Sequence, residues 1–396
     1  MKPISSVAKG IRPSATLAID AIANEMKANS LDVIAFGTGE PDFNTPDNIK
    51  AAAIAAIHDN KTRYTSASGI IQLRKGICRL LKNEFGLDYG PENICVTSGA
   101  KHSIYIALCA LINPGDEVIL PAPYWVTYEE AIRMTGGIPV VINTTEETRF
   151  KVSADVIEKH ITNKTKAVII TSPSNPTGMV YAREELKAIA DVIVKNDLYA
   201  ISDEIYYFLT YKGEFTSLAS LGEEIKRHTI TINGVSKTYA MTGWRIGYSA
   251  CEASIAEVMG NYLSHSTGNP STISQYASLE AVLGDQSSAV RMKQAFDERR
   301  RYFTERVSKI DGVSCLEPDG AFYIFMNIKK QLGRTLYGMK IETSEDFASC
   351  LLKNSLVAVV PGTAFGADGY LRWSYATSME KIKEGLNRFE NFLREE

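Results

Sequence analysis

The stretch Asn233-Gly234-Val235-Ser236-Lys237-Thr238-Tyr239-Ala240-Met241-Thr242-Gly243-Trp244-Arg245-Ile246-Gly247-Tyr248 decides how this chain is read. It follows His228-Thr229-Ile230-Thr231-Ile232, whose alternation marks a buried or half-buried strand. A single lysine then stands among small and hydroxyl residues, with an arginine eight positions on. A lysine with few charged neighbours can lose its proton near neutral pH and attack a carbonyl carbon as a free amine. By itself the stretch also describes a loop with a solvated lysine and a paired arginine, because lysines are mostly exposed. The rest of the chain decides between the two.

Working outward, helical segments alternate with short apolar strands. The pattern predicts helices near 47–59 and 70–85, a strand at 94–97 and a helix from Ser98 to about 112. Strands at 117–120, 138–141, 167–170 and 198–201 follow, separated by helices near 124–135, 153–161 and 183–195. Such alternation implies an α/β fold with a largely parallel sheet covered on both faces, where ligands gather at the carboxyl ends of the strands. A charged helix is expected near 285–310. After it come Phe322-Tyr323-Ile324-Phe325-Met326, a helix near 344–353, strands at 357–360 and 371–375 and a final amphipathic helix, which suggest a compact α+β unit. A helix at 13–29 begins the chain, and the N-terminal segment is expected to join that unit, since domain termini often lie close together.

Composition limits the classes of function. A chain of 396 residues with 45% hydrophobic and 22% charged content reads as a globular protein of two domains. A net charge of −3 gives no basic excess for nucleic acid. The first ten residues lack the apolar core of a secretory signal, and no apolar run has the length to cross a bilayer, so no membrane partner is expected. Six scattered cysteines without a C-x-x-C pair and five isolated histidines point to reduced thiols in the cytoplasm and to no metal site.

Four clusters fall at strand ends or in the loops that follow. Ser98-Gly99-Ala100 opens a helix whose N–H groups can cradle a phosphate. Ser172-Pro173-Ser174-Asn175-Pro176-Thr177-Gly178 is a punctuated loop in which Asn175 offers an amide to an oxygen anion. Asp203, at the end of an apolar strand, needs a cationic or hydrogen-bonding partner. A protonated ring nitrogen would serve, with Tyr206 reaching a phenolic oxygen of the same ring. Ser236 and Arg245 flank Lys237 and suit a phosphate. Gly39, in Thr38-Gly39-Glu40-Pro41-Asp42-Phe43, allows a ligand close to the backbone.

In this order and spacing the clusters resemble the class I/II aminotransferases, pyridoxal-phosphate enzymes of fold type I. The resemblance runs from Pro13-Ser14-Ala15-Thr16 to Arg372-Trp373-Ser374-Tyr375-Ala376. Pro123-Tyr124-Trp125, Ser14 with Thr16, and Lys101 are most similar to the prokaryotic I-beta subgroup of aspartate aminotransferases. It implies a large cofactor-binding domain over residues 46–282 and a small domain from 1–45 and 283–396. It further implies that Lys237 holds pyridoxal 5'-phosphate covalently, Asp203 and Tyr206 meet its ring and Trp125 stacks on it. Gly39, Asn175 and Arg372 would meet the substrate α-carboxylate. Ser14, Thr16 and Lys101 are implicated with the distal carboxylate, and Arg12 adds a second cation nearby. Tyr64 would reach the phosphate of the partner subunit in a homodimer. Ala100 departs from the glycine that close relatives often carry.

The implied activity is ping-pong transfer of an amino group between L-aspartate and 2-oxoglutarate. The alternatives are use of prephenate or another amino acid, and a β-lyase built on the same frame. A non-catalytic binding module is disfavoured by the intact set of Lys237, Asp203, Tyr206, Arg245 and Arg372.

Overall fold

The computed structural model describes residues 2–394. Its largest sheet has seven strands: β1 Ile94–Thr97, β2 Glu117–Ala122, β3 Ile138–Asn143, β4 Thr165–Thr171, β5 Tyr199–Asp203, β6 Thr229–Gly234 and β7 Gly247–Ala250. They lie side by side in the order β1-β7-β6-β5-β4-β2-β3. β2 to β6 pair in parallel, while β7 runs antiparallel to both of its neighbours, β6 and β1.

Alternation along the strands feeds two cores. Ile169, Ile201, Ile230 and Ile232 pack on one face with Ile104 and Leu108 of helix Ala100–Leu111. Val168, Ile170 and Ala200 pack on the other with Leu186, Ile189 and Ile193 of helix Arg183–Lys195. Each such aliphatic side chain contributes ~1.5–3 kcal/mol when fully buried, so a sheet covered on both faces is strongly held.

A second, antiparallel sheet orders Val360–Pro361, Tyr370–Ser374, Tyr323–Asn327 and Ser314–Cys315. The N-terminal segment is tied to it. Ile34–Ala35 pairs in parallel with Val357–Ala358, and the Ser374 N–H donates to the Phe36 carbonyl. Phe36 packs against Trp373 and Phe303, with ring centroids 4.9 and 6.4 Å away. This junction sets residues 37–40 beside Arg372.

Most expected elements are present within a few residues, including Ala15–Ala28, Ser287–Val307 and Met379–Arg394. The elements not read from sequence include three of note. Gly247-Tyr248-Ser249-Ala250 carries no apolar alternation, yet all four residues are buried as β7: Tyr248 and Ala250 join the core, Ser249 meets Met259, and Gly247 lies against the Gly99–Ala100 backbone. Helices Ala253–His265 and Thr272–Leu283 are the other two. In the second, Ser274, Gln275 and Ser278 are buried and interrupt its apolar stripe. Gln275 is satisfied there by the Ile70 N–H and the Pro270 carbonyl. All six cysteines are free, and among the described residues no helix is long and apolar enough to cross a membrane.

Candidate active site

Parallel strands deliver their loops to one edge of the sheet, and the candidate residues sit there. β5 ends on Asp203, β6 leads into Ser236-Lys237, and the Asn175 loop leaves β4. Trp125 follows β2, and β1 leads through Ser98-Gly99 into helix Ala100–Leu111. Together with residues of the N-terminal segment and Arg372 they enclose a cavity of about 330 Å³, within the usual range for small-molecule sites of roughly 300–1,000 Å³. Its lining includes Gly39, Trp125, Asn175, Asp203, Tyr206 and Ser236-Lys237.

Lys237 presents its amine to this cavity. Its Nζ donates to the Gly39 carbonyl at 2.6 Å. Burial pushes its pKa down to about 8; Glu40 opposes the shift, and Arg245 and Arg372 add to it. An appreciable share of the amine is therefore neutral near physiological pH, as a nucleophile requires. The Asp203 carboxyl is fully enclosed, and burial raises its pKa. The Tyr128 hydroxyl, which donates to Oδ2 at 2.7 Å, and the Ile205 N–H, which donates to Oδ1 at 3.2 Å, act in the opposite direction. A cation opposite Asp203 would complete the pairing that a buried carboxylate needs.

Tyr128 is a member of the site that sequence reasoning missed. It accepts from Thr171 Oγ1 at 2.8 Å while donating to Asp203, so β4, β5 and helix Thr127–Met134 meet at one hydroxyl. The available signal was its position three residues after Trp125, where one helical turn puts both rings on the same side. Their centroids lie 5.5 Å apart, edge to face. Tyr323 was missed too; its hydroxyl bonds that of Tyr206 at 2.7 Å.

The helix start at Ser98-Gly99-Ala100 depends on close packing. Gly99 has φ +90°, and a Cβ there would collide with the Arg245 guanidinium. A Cβ on Gly247 would strike the Gly99–Ala100 backbone, so glycine on β7 lets the helix start sit against the sheet. Ala100, in place of the more usual glycine, is accommodated as the first residue of its helix. Arg245 donates to the Thr242 and Ser98 carbonyls, at 2.9 and 3.4 Å.

At the opposite end Arg372 is 2% exposed. It donates to Asn175 Oδ1 at 3.0 Å and to the Gly37 carbonyl, lies over the Tyr323 ring at 4.6 Å, and has an Nε without a partner. A buried guanidinium bonded to neutral oxygens leaves its charge available to a carboxylate. Gly39 lies where the Tyr323 hydroxyl approaches so closely that a Cβ would clash.

The remaining candidates lie around this centre. Ser14 and Thr16 line the cavity and hydrogen-bond each other at 2.9 Å, and Lys101 Nζ is 5.1 Å from the Trp125 ring centroid. Arg12 is held outside, in an adjoining cavity, where Glu129 and Glu130 pair with it at 2.7 and 2.8 Å. Sequence reasoning did not foresee that pairing, which joins residues far apart in the chain. Ser98 borders the same outer cavity. Tyr64 is 98% exposed on this single chain and away from its own site.

The residues fit pyridoxal phosphate. A neutral-leaning lysine, a buried carboxyl in want of a cation, and a helix start beside an arginine match its carbonyl, ring nitrogen and phosphate in turn.

Comparison with known proteins agrees. Residues 31–389 match the family of class I and II aminotransferases. An aspartate aminotransferase of Bacillus sp. (strain YM-2) is 47% identical over 387 residues, 98% of each chain. A probable aspartate/prephenate aminotransferase of Aquifex aeolicus is 44% identical, over 100% of this chain and 99% of that one. Among solved structures, the aspartate aminotransferase from Rhizobium meliloti matches with a TM-score of 0.95 at 39% identity, covering 99% of this chain and 98% of its own. That from Thermus thermophilus with maleate matches with a TM-score of 0.94 at 38% identity, covering 99% and 100%. The sheet and its flanking helices are therefore those of a fold type I transferase, and the chain belongs to the class I and II aminotransferases.

Proposed function

We propose that the protein is an aspartate aminotransferase that transfers an amino group between L-aspartate and 2-oxoglutarate with pyridoxal 5'-phosphate held by Lys237. The observation that carries this reading is one cavity holding the Lys237 amine, the enclosed Asp203 carboxyl and the buried Arg372 guanidinium. When bound, the cofactor supplies a carbonyl for amine exchange and an electron sink for charge from the substrate α-carbon.

The chain's own residues do the remaining work. Asp203 would hold the ring nitrogen in its protonated form, and the Tyr128 hydroxyl on Oδ2 orients that carboxylate. Ser236, Arg245 and the N–H groups at Ser98 to Ala100 bind the phosphate. Trp125 stacks on the ring, and Tyr206 bonds its phenolic oxygen. Arg372, with Asn175 and Gly39, binds the α-carboxylate, so the α-carbon faces Lys237. Lys237, whose amine lines the same cavity, would be the base that accepts the proton of the substrate α-carbon and gives it back. Ser14, Thr16 and Lys101 receive the distal carboxylate, a charge match that favours dicarboxylic substrates.

The resemblance also supports a homodimer in which the partner's Tyr64 completes the phosphate site; an almost fully exposed tyrosine on the single chain agrees with that role. Six free cysteines agree with a reducing, cytoplasmic setting. We read residues 46–282 as the large domain and 1–45 with 283–396 as the small one, supported by the pairing of Ile34–Ala35 with Val357–Ala358.

A second reading, use of prephenate as well, is favoured by relatives named aspartate/prephenate aminotransferases and by the outer cavity that adjoins the site at Ser14, Lys101 and Arg245. The test mixes cofactor-loaded protein with single amino acids and follows the cofactor spectrum. Aspartate and glutamate should discharge the lysine-bound band fastest. A preference for alanine or an aromatic would overturn the specificity, and ammonia release without an added acceptor would identify a β-lyase.

A further inference from the structure

Directly after Asp203 the chain buries a second carboxyl. Glu204 is 1% exposed, and all of its donors converge on a single oxygen. Ser202 Oγ at 2.9 Å, Ser217 Oγ at 2.9 Å and the Leu218 N–H at 3.2 Å all reach Oε1. Oε2 is buried with no partner. An ionised carboxylate shares its charge over both oxygens, so this environment would leave half of it bare in a low-dielectric interior. With a proton on Oε2, the three donors meet a carbonyl oxygen and no charge rests on the unpartnered oxygen.

Backbone bonds place Glu204 between two members of the site. Its N–H donates to the Ile232 carbonyl on β6, and its carbonyl accepts from Tyr207 in the turn after Tyr206. Its side chain ties the end of β5 to the 217–221 turn.

We propose that Glu204 is a positioning residue for Asp203, a protonated carboxyl behind the strand end that ties the Ser202-Asp203 segment to the 217–221 turn without setting a second charge directly beside Asp203. The proposal rests on the cofactor reading above. Burial raises the Glu204 pKa to about 7; the Ser217, Ser202 and Leu218 donors act against the shift, and Asp203 adds to it. The titratable groups facing it are Asp203, Tyr89 ahead of β1 and Tyr248 on β7; beyond them the Lys226 ammonium lies over the Tyr89 ring. The sign follows from linkage. Between the ordinary carboxylate value and about 7 the folded chain binds this proton and the unfolded chain does not. Stability from this group is therefore complete at low pH and is lost as pH rises through that window.

The test compares Glu204→Gln, an uncharged mimic of the protonated acid, with Glu204→Ala. In protein loaded with pyridoxal phosphate, the infrared carbonyl band of a protonated carboxylic acid should be present at pH 6. It should persist in Asp203→Asn and vanish in Glu204→Gln. Glu204→Gln should bind the cofactor within about twofold of wild type, whereas Glu204→Ala should bind about tenfold more weakly, the usual scale for a lost buried hydrogen-bond set. Without cofactor, the melting temperature of Glu204→Gln should gain on wild type from pH 5 to pH 8. A band that survives Glu204→Gln, no band in wild type, or equal losses in the Gln and Ala variants would overturn the proposal. Failure of the protein to take up pyridoxal phosphate would instead overturn the cofactor reading, because the melting series needs no cofactor.

Discussion

The Tyr128 hydroxyl donates to Asp203 Oδ2 at 2.7 Å and accepts from Thr171 Oγ1 at 2.8 Å. A carboxyl enclosed on all sides thus takes its orientation from a helix on one face of the sheet, and its ionised form gains one of its few donors. Tyr128→Phe keeps the ring packing and removes both bonds of the hydroxyl, the one it gives to Asp203 and the one it takes from Thr171. The expected result is a folded protein, destabilised by ~1–3 kcal/mol, with weaker cofactor binding and a turnover lower by about tenfold. Calorimetry and cofactor titration check this; unchanged cofactor affinity would remove Tyr128 from the site.

Lys237 titrates well below an ordinary lysine, at about 8. The rate at which cofactor-free protein takes up pyridoxal phosphate should climb as the amine loses its proton and level off above that pH. Stopped-flow absorbance measures it. Stability should follow the same group. Above about 8 the folded chain has released this proton while the unfolded chain still binds it, so wild-type stability rises with pH toward 10.5. Lys237→Met should erase that rise and abolish the absorption band of the lysine-bound cofactor.

Arg372 is buried and bonded to Asn175 and Gly37 rather than to a carboxylate. Arg372→Lys retains the charge and loses the planar fork. Binding of aspartate should weaken by about a hundredfold, from loss of a charge-assisted bidentate pair worth ~3 kcal/mol. Cofactor binding should be almost unaffected. Half-reaction kinetics across aspartate concentrations separate the two effects.

Arg12 is well exposed and already paired with Glu129 and Glu130. Exposed ion pairs contribute ~0–1 kcal/mol, so Arg12→Ala should change stability and aspartate turnover by no more than about threefold. Lys101→Ala, at the cavity itself, should depress the use of aspartate far more than that of alanine. Equal losses in the two variants would mean that Arg12 leaves its glutamates to meet substrate.

What could be read in advance followed the physics of short range. β5 and β6 are visible as apolar runs, and Asp203 stands out because a charged group ending such a run needs a partner, whereas Lys237 gained its reading only in the company of the other clusters. β7 was hidden because Gly247 and Ser249 are buried by the elements packed on the sheet rather than by apolar side chains of their own. Tyr128 was hidden because Thr127-Tyr128-Glu129-Glu130 is an ordinary helix start, and only the fold brings its hydroxyl to Asp203. The glutamates that hold Arg12 were invisible for the same reason.

The reversed strand β7 has a consequence for how the protein matures. It bridges β6, which leads to Lys237, and β1, which leads to the phosphate cradle, so those two halves of the site become neighbours only when the last strand of the sheet inserts. Contacts of such long sequence separation form late, because the chain between them must be ordered first. Cofactor capture should therefore serve as a completion signal: a chain arrested before β7 docks would carry the lysine and the cradle and yet hold nothing between them.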